Sequence, residues 1–287
     1  INGRPLAGII QSAVLSDDRV FIVANNTDKI EVTDTSLESI ATISLTDLSL
    51  TPSAFALAGP DKGYISDLYN HSVAVVNLED YTVDENRIEV GNNPRDMVVV
   101  DNRLYVANSG FGDDDTVTII DIESDQVLTT VTVGNGSAHL KADDQGYVWA
   151  ISSGKKAYDE NWNRDPDHDI HGRLDIISGS QIIATIETGG FPRSVALDET
   201  RGQAWVVNEQ AVQQIDMSSY EIVDQAFIGR SFNGIGFSEA EERLYLADSR
   251  GYTQSGQAII FDLEGAAVDS FQVGIAPMDF LFQVQVE

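Results

Sequence analysis

The chain has 287 residues, 42% of them hydrophobic, no cysteine, and 46 acidic residues against 17 Lys and Arg, for a net charge of −29. That balance excludes a binder of phosphate backbones, which needs clustered Lys and Arg, and it opposes docking on anionic lipid. Without thiols there are no disulfides, no thiolate catalysis and no cysteine–zinc sites, and no apolar run approaches the ~18 residues of a membrane-crossing helix.

The acidity has two readings. One is a solvated surface that resists aggregation in a saline or extracellular setting; the other is attraction of cations, Ca²⁺ included.

From its start the chain repeats one pattern of about 40–45 residues. Six units run 1–45, 46–90, 91–133, 134–188, 189–228 and 229–273. The third reads GNNPRDMVVVDNRLYVANSGFGDDDTVTIIDIESDQVLTTVTV. Its β-rich segments, bounded by turn residues, predict strands A to D at 97–100, 104–107, 117–120 and 127–133. A unit of this kind cannot bury its own apolar faces, so neighbours must stack. Four strands at this period predict β-propeller blades. The repeat continues end to end, so 1–287 is read as a single all-β domain.

The remainders bear on closure. Residues 274–287 (GIAPMDFLFQVQVE) copy the loop and strand A of another unit, and 1–8 (INGRPLAG) copy the end of a D–A loop. Rings commonly close by completing one blade from both termini. The expectation is seven blades of four antiparallel strands, the seventh incomplete and its outer strands preceding Ile1. Six blades with a spare strand is the alternative, at the cost of an unpaired inner strand.

Connectivity puts the A–B and C–D turns on one face and the B–C and D–A loops on the other. The A–B turns are short and polar. The elongated loops, 108–116, 152–173 and 248–257, all join B to C. Insertions gathered on one face of a repeat array mark a binding face. Much of the scarce basic supply sits there beside aromatics. The candidate ligand-binding residues are Arg95, Phe191, Arg193, Arg230 and Phe232 on D–A loops, with Phe111, Tyr158, Trp162, Arg250 and Tyr252 on B–C loops. Aromatic and Arg side chains anchor binding surfaces. Packing between blades is the competing role for the D–A residues, above all for Arg95 and Arg193, which share a Pro-Arg register.

Asp165, Asp167 and Asp169 offer carboxylates at alternate positions, the spacing with which a loop begins to wrap Ca²⁺. The expected cofactor, if any, is Ca²⁺. The match stops there, because Ile170 and Ile176 stand where such a loop wants Gly and Glu; a solvated acidic loop is the other reading. His168 and His171 beside Asp167 form a weaker transition-metal set. Asp113, Asp114 and Asp115 read as a solvated run. Catalytic signals are poor: four His, no Gly-x-Ser-x-Gly elbow, and carboxylates too abundant for any pair to inform. His139, at the start of strand A in the fourth unit, faces the channel.

The LYVAN and TVTIIDI strands, with a V-G-x-x-P-R-D/S loop before the inner strand, resemble the YVTN-repeat, YncE-like seven-bladed propellers. The opening, Asn2-Gly3-Arg4-Pro5-Leu6 with the strands at 19–26 and 29–34, resembles a surface propeller family of Bacteroidetes that includes BtuG-type lipoproteins. That resemblance implies an exported, non-catalytic protein of the outer-membrane surface or periplasm. It would capture a corrinoid such as cobalamin and pass it to a TonB-dependent transporter. A cell-surface interaction scaffold, and a propeller hydrolase, lactonase or lyase using channel carboxylates with Ca²⁺, are the alternatives.

Overall fold

Consecutive apolar residues, as in Leu104-Tyr105-Val106-Ala107, ask for a strand buried on both sides. The computed structural model, which describes residues 9–283 apart from 17, 26 and 252, supplies that environment. Blade 1 is β1 (Ile9–Ser16), β2 (Arg19–Asn25), β3 (Lys29–Asp34) and β4 (Ser39–Ser44). Blade 2 is β5 (Pro52–Leu57), β6 (Lys62–Asp67), β7 (Ser72–Asn77) and β8 (Thr82–Glu89). Blade 3 is β9 (Pro94–Val100), β10 (Arg103–Asn108), β11 (Thr116–Asp121) and β12 (Gln126–Thr132). Blade 4 is β13 (Ser137–Ala142), β14 (Val148–Ser152), β15 (Gly172–Ser178) and β16 (Gln181–Gly190). Blade 5 is β17 (Ser194–Asp198), β18 (Gln203–Val207), β19 (Val212–Asp216) and β20 (Glu221–Ile228). Blade 6 is β21 (Gly234–Ser238), β22 (Arg243–Asp248), β23 (Ser255–Phe261) and β24 (Ala267–Ile275).

Each blade is a four-stranded antiparallel sheet paired in chain order. The strands of blade 3 match the predicted ones, mostly lengthened by a residue or more at their ends. Of the two blade counts expected, the described residues realise six.

The core is divided among the seams. Leu104 and Val106 of β10 pack towards Tyr64 and Val73 of blade 2. Tyr105 and Ala107, one residue out of phase, pack towards Leu140 and Val148 of blade 4. Trp149 faces Val195 and Val206 across the next seam. Trp205 meets Ile235 and Leu244 beyond it. Phe21 stacks on Phe55 at 4.8 Å between blades 1 and 2. A middle strand therefore serves two cores at once, which removes polar residues from both its faces.

Residues 276–283 form no strand, but they follow the inner edge of blade 6. Phe280 and Phe282 pack on Tyr245, with ring centres 5.8 and 5.1 Å away. A side chain on Gly236 would lie 2.8 Å from Phe280. The copied strand A thus occupies the place of a next inner strand without building a sheet there.

Asparagines at the ends of the B strands bond to neighbouring strands: Asn208 donates to the Thr188 carbonyl near the end of β16 at 2.9 Å, and Asn108 donates to the Thr118 hydroxyl of β11 at 2.9 Å. Glycines of the preceding blade-to-blade segment, Gly91 and Gly190, make room for them. A Cβ on Gly190 would sit 2.6 Å from the Asn208 amide, whereas one on Gly229 would meet nothing within 4 Å. Gly190→Ala should therefore cost about 1–3 kcal/mol by overpacking, and Gly229→Ala should stay within about 0.5 kcal/mol of the parent, both read from urea denaturation midpoints at constant slope.

Candidate functional site

The long-loop face is made by chain segments that tie successive blades together. In the loop after β10, Ser109 and Gly110 donate their N–H groups to the carbonyls of Asn93 and Asn92 at 3.1 and 2.8 Å. Asp114 is 8% exposed. It accepts the Asn92 N–H at 2.7 Å and the Thr116 hydroxyl at 2.5 Å. The reading of 113–115 as a solvated run fails at Asp114, because its carboxylate is the loop's internal anchor. Asp113 pairs instead with Lys155 of the next long loop.

Those bonds hold Phe111 outward. Its backbone is left-handed (φ 51°) and its ring is 56% exposed, 6.3 Å from exposed Tyr69. A bulky residue pays steric strain in that conformation, and such strain gathers at functional positions.

The 152–173 insertion is a hairpin-like arm. Gly154 donates to Asn135 at 2.8 Å, and Lys155 and Ile170 exchange backbone bonds at 2.8 and 2.9 Å. Tyr158 pairs with Arg164 further out. Asp159 accepts the N–H groups of Asn161 and Asn163, both at 2.8 Å, and closes the tip. Trp162 lies within that turn with φ 63° and is 83% exposed, its ring 6.2 Å from Tyr158. Arg164 lies over the Tyr158 ring at 5.3 Å and grips Asp169 with two bonds of 2.8 and 2.7 Å.

This grip decides the fate of the expected Ca²⁺ ligands. Asp169 accepts the Arg164 fork and the Ala157 N–H, and Asp165 pairs with His168 at 2.8 Å. The three carboxylates do not converge. Among the described residues no group of three or more His, Cys, Asp or Glu surrounds a common metal position.

The D–A residues divide. Phe191 and Phe232 are buried, each under a cation: Lys156 is 4.8 Å above Phe191 and Arg230 is 4.5 Å above Phe232. Phe232 packs between blades 5 and 6 beside Trp205 and Ile235, and Phe191 lies edge-on to His171 of the long loop at 5.5 Å. Lys156 and Arg230 also pair with Glu209 and Asp248. Arg250 is left-handed (φ 50°) and donates to Gln257. Arg95 and Arg193 are half-buried, and their guanidinium groups bond to no described residue. Tyr252 and Arg4 lie outside the described residues.

Non-local packing adds a channel group that sequence spacing did not bring together. Asp96 of β9 lies 3.6 Å from the His139 ring of β13 and accepts the Leu140 N–H at 3.0 Å. Asp279, from the C-terminal run, stands near both His139 and Lys141. Crowding by protein pushes its carboxyl above the usual range, an effect that the Phe280 N–H and its neighbours His139 and Lys141 only partly offset. The "P-R-D" motif held the signal for Asp96; Asp279 carried none. Two open grooves among the described residues lie elsewhere, along β7 and β8 against Asp125 of blade 3.

Antiparallel four-stranded blades with all long loops on one face define a β-propeller. Within that class, the chain belongs to the family described as Domain of unknown function (DUF5074), which matches residues 2–159, more than half of its length. No curated protein sequence matches it. Hydrazine synthase of Kuenenia stuttgartiensis superposes with a TM-score of 0.69 at 15% identity, over 92% of this chain and 80% of that one. The Neurospora crassa Pan2 WD40 domain does so with a TM-score of 0.63 at 12% identity, over 96% and 77%. At these identities the likeness is one of fold. No helix among the described residues is long and apolar enough to cross a membrane.

Arg164 holds the Asp169 carboxyl down at about 2, with the Ala157 N–H as the second cause. A carboxyl whose folded value is depressed steadies the arm above about pH 4 and loses that contribution as pH falls towards 2. In ¹³C NMR the Asp169 carboxyl should titrate near 2. Arg164→Met should return it to the ordinary carboxylate range near ~4.

Proposed function

We propose that the protein is a non-catalytic binding module that captures its partner on the long-loop face. One observation carries the reading: two exposed aromatic pairs, Tyr69–Phe111 and Tyr158–Trp162, stand on loops hydrogen-bonded into the ring. Rings fixed in advance lose little conformational freedom on binding, so their contact area converts into affinity. The face is broad, which suits a large, flat or macromolecular partner.

The finer form of the proposal follows the resemblance at the start of the chain. The ligand is a corrinoid, a wide macrocycle with apolar faces and a polar rim, and stacking on Trp162, Tyr158 and Phe111 would hold it. The protein then works after export, at the outer-membrane surface or in the periplasm, and hands the ligand to a TonB-dependent transporter.

Calorimetry with cyanocobalamin tests both levels. Wild-type protein should bind tightly. The Phe111→Ala, Tyr158→Ala, Trp162→Ala triple variant should lose at least about tenfold in affinity, the scale of a hot-spot truncation. Absence of wild-type binding removes the corrinoid. Equal binding by the triple variant removes the face.

A further inference from the structure

The Tyr69–Phe111 half of the platform spans two blades. Tyr69 belongs to the turn between β6 and β7, and Phe111 to the loop after β10. The segment between β8 and β9 joins them, and Asn93 is its hub. Asn93 donates its side-chain amide to the Leu68 carbonyl at 2.8 Å and its backbone N–H to Nδ1 of His71 at 3.0 Å. Its carbonyl accepts the N–H and the hydroxyl of Ser109, at 3.1 and 3.0 Å. Ser109 in turn caps the turn that carries Phe111, accepting the Phe111 N–H on its side-chain oxygen.

One of these bonds depends on protonation. A ring nitrogen that accepts an N–H carries no proton itself, so this bond needs Nδ1 of His71 unprotonated. A proton on that atom would set two N–H groups against each other. The other histidines respond differently. His168 and His139 lie beside Asp165 and Asp96, at 2.8 and 3.6 Å, where a proton adds attraction, and His171 lies edge-on to Phe191. His71 is exposed, so solvent protons reach it, and histidine is the side chain whose charge changes between about pH 5 and 8. The charged groups on the elements around it are Asp67 of β6, Glu89 of β8, Arg95 of β9, and Asp113, Asp114 and Asp115 of the Phe111 loop. Asp67 accepts from Thr51 and Asn70, Asp114 accepts from Asn92 and Thr116, and Asp113 pairs with Lys155. Among the described residues none of them forms an ion pair with His71. The bond to Asn93 is therefore the contact that protonation of the ring changes.

We propose that His71 is a pH-sensitive clasp on the aromatic platform. Unprotonated, it seats Asn93 and, through Asn93, the Phe111 loop. Protonated, it releases them, and the face loosens its hold on a partner in acid. The use of the clasp rests on the binding role proposed above; its working does not, because it belongs to the free protein. The bond from the Asn93 side chain to Leu68 stays, which keeps the change local.

Amide hydrogen exchange of the free protein by NMR at about pH 7.5 and about pH 5, corrected for the intrinsic rate at each pH, tests this. The Ser109 and Gly110 amides bond to the carbonyls of Asn93 and Asn92. Their protection should fall about two- to tenfold in acid, the worth of one hydrogen bond. Lys155 and Ile170, on the arm, should keep theirs. In His71→Asn the side-chain oxygen takes the place of Nδ1 and does not titrate, so protection should be the same at both pH values. In His71→Phe, which has no acceptor, it should be low at both. Unchanged protection of Ser109 and Gly110 in wild-type protein, an equal fall in His71→Asn, an equal fall at Lys155 and Ile170, or full protection in His71→Phe would overturn the proposal. Each of these outcomes is independent of whether cyanocobalamin binds.

Discussion

A blade with apolar residues on both sheet faces is stable only between two neighbours. Every other feature of this chain depends on that constraint. It requires the core to be divided among seams rather than gathered at one centre, as the alternating partners of Leu104, Tyr105, Val106 and Ala107 show. It also leaves the loops as the part of each repeat free to vary. Blades 3 and 4 use that freedom for long B–C segments on a single face. At the ends of the B strands, Asn108 and Asn208 bond to neighbouring strands and lie against Gly91 and Gly190 of the blade-to-blade segments, where a side chain would clash.

Charge is organised by the same scheme. Acidic residues fill turns, where Asp34, Asp121 and Asp216 accept neighbouring hydroxyl and N–H groups, which lowers their carboxyl pKa values. The few cations act as clasps, Lys155 to Asp113 between two long loops and Lys62 to Asp125 between blades 2 and 3. Against that background the exposed rings of the loop face stand out sterically.

The repeat made the blades legible, because period and apolar runs follow from the seams and need no knowledge of the neighbour's identity. Loop residues were legible as to face but not as to direction. Phe191 and Phe232 share composition and loop class with Phe111, yet both are buried, Phe232 in the core between blades 5 and 6 and Phe191 against His171 and Lys156 of the long loop. The spacing of Asp165, Asp167 and Asp169 described possible ligand geometry; a local cation, Arg164, captured Asp169 first. Asp114 looked like one of three equivalent acids, and the Asn92 N–H and Thr116 hydroxyl that it accepts distinguish it. Residues 276–283 copy an inner strand faithfully and lie where one belongs, but pairing needs partners that their own pattern does not supply.

The central claim is that the platform is built before any partner arrives. Amide hydrogen exchange on the free protein measures this directly. The bonds across the 152–173 arm, Lys155 and Ile170 to each other and Asp165 to Ala157, should protect those amides well above the rates of an unstructured peptide. Exchange of Lys155, Asp165 and Ile170 at unprotected rates would contradict it, since an arm that orders only on binding cannot present Trp162 in advance.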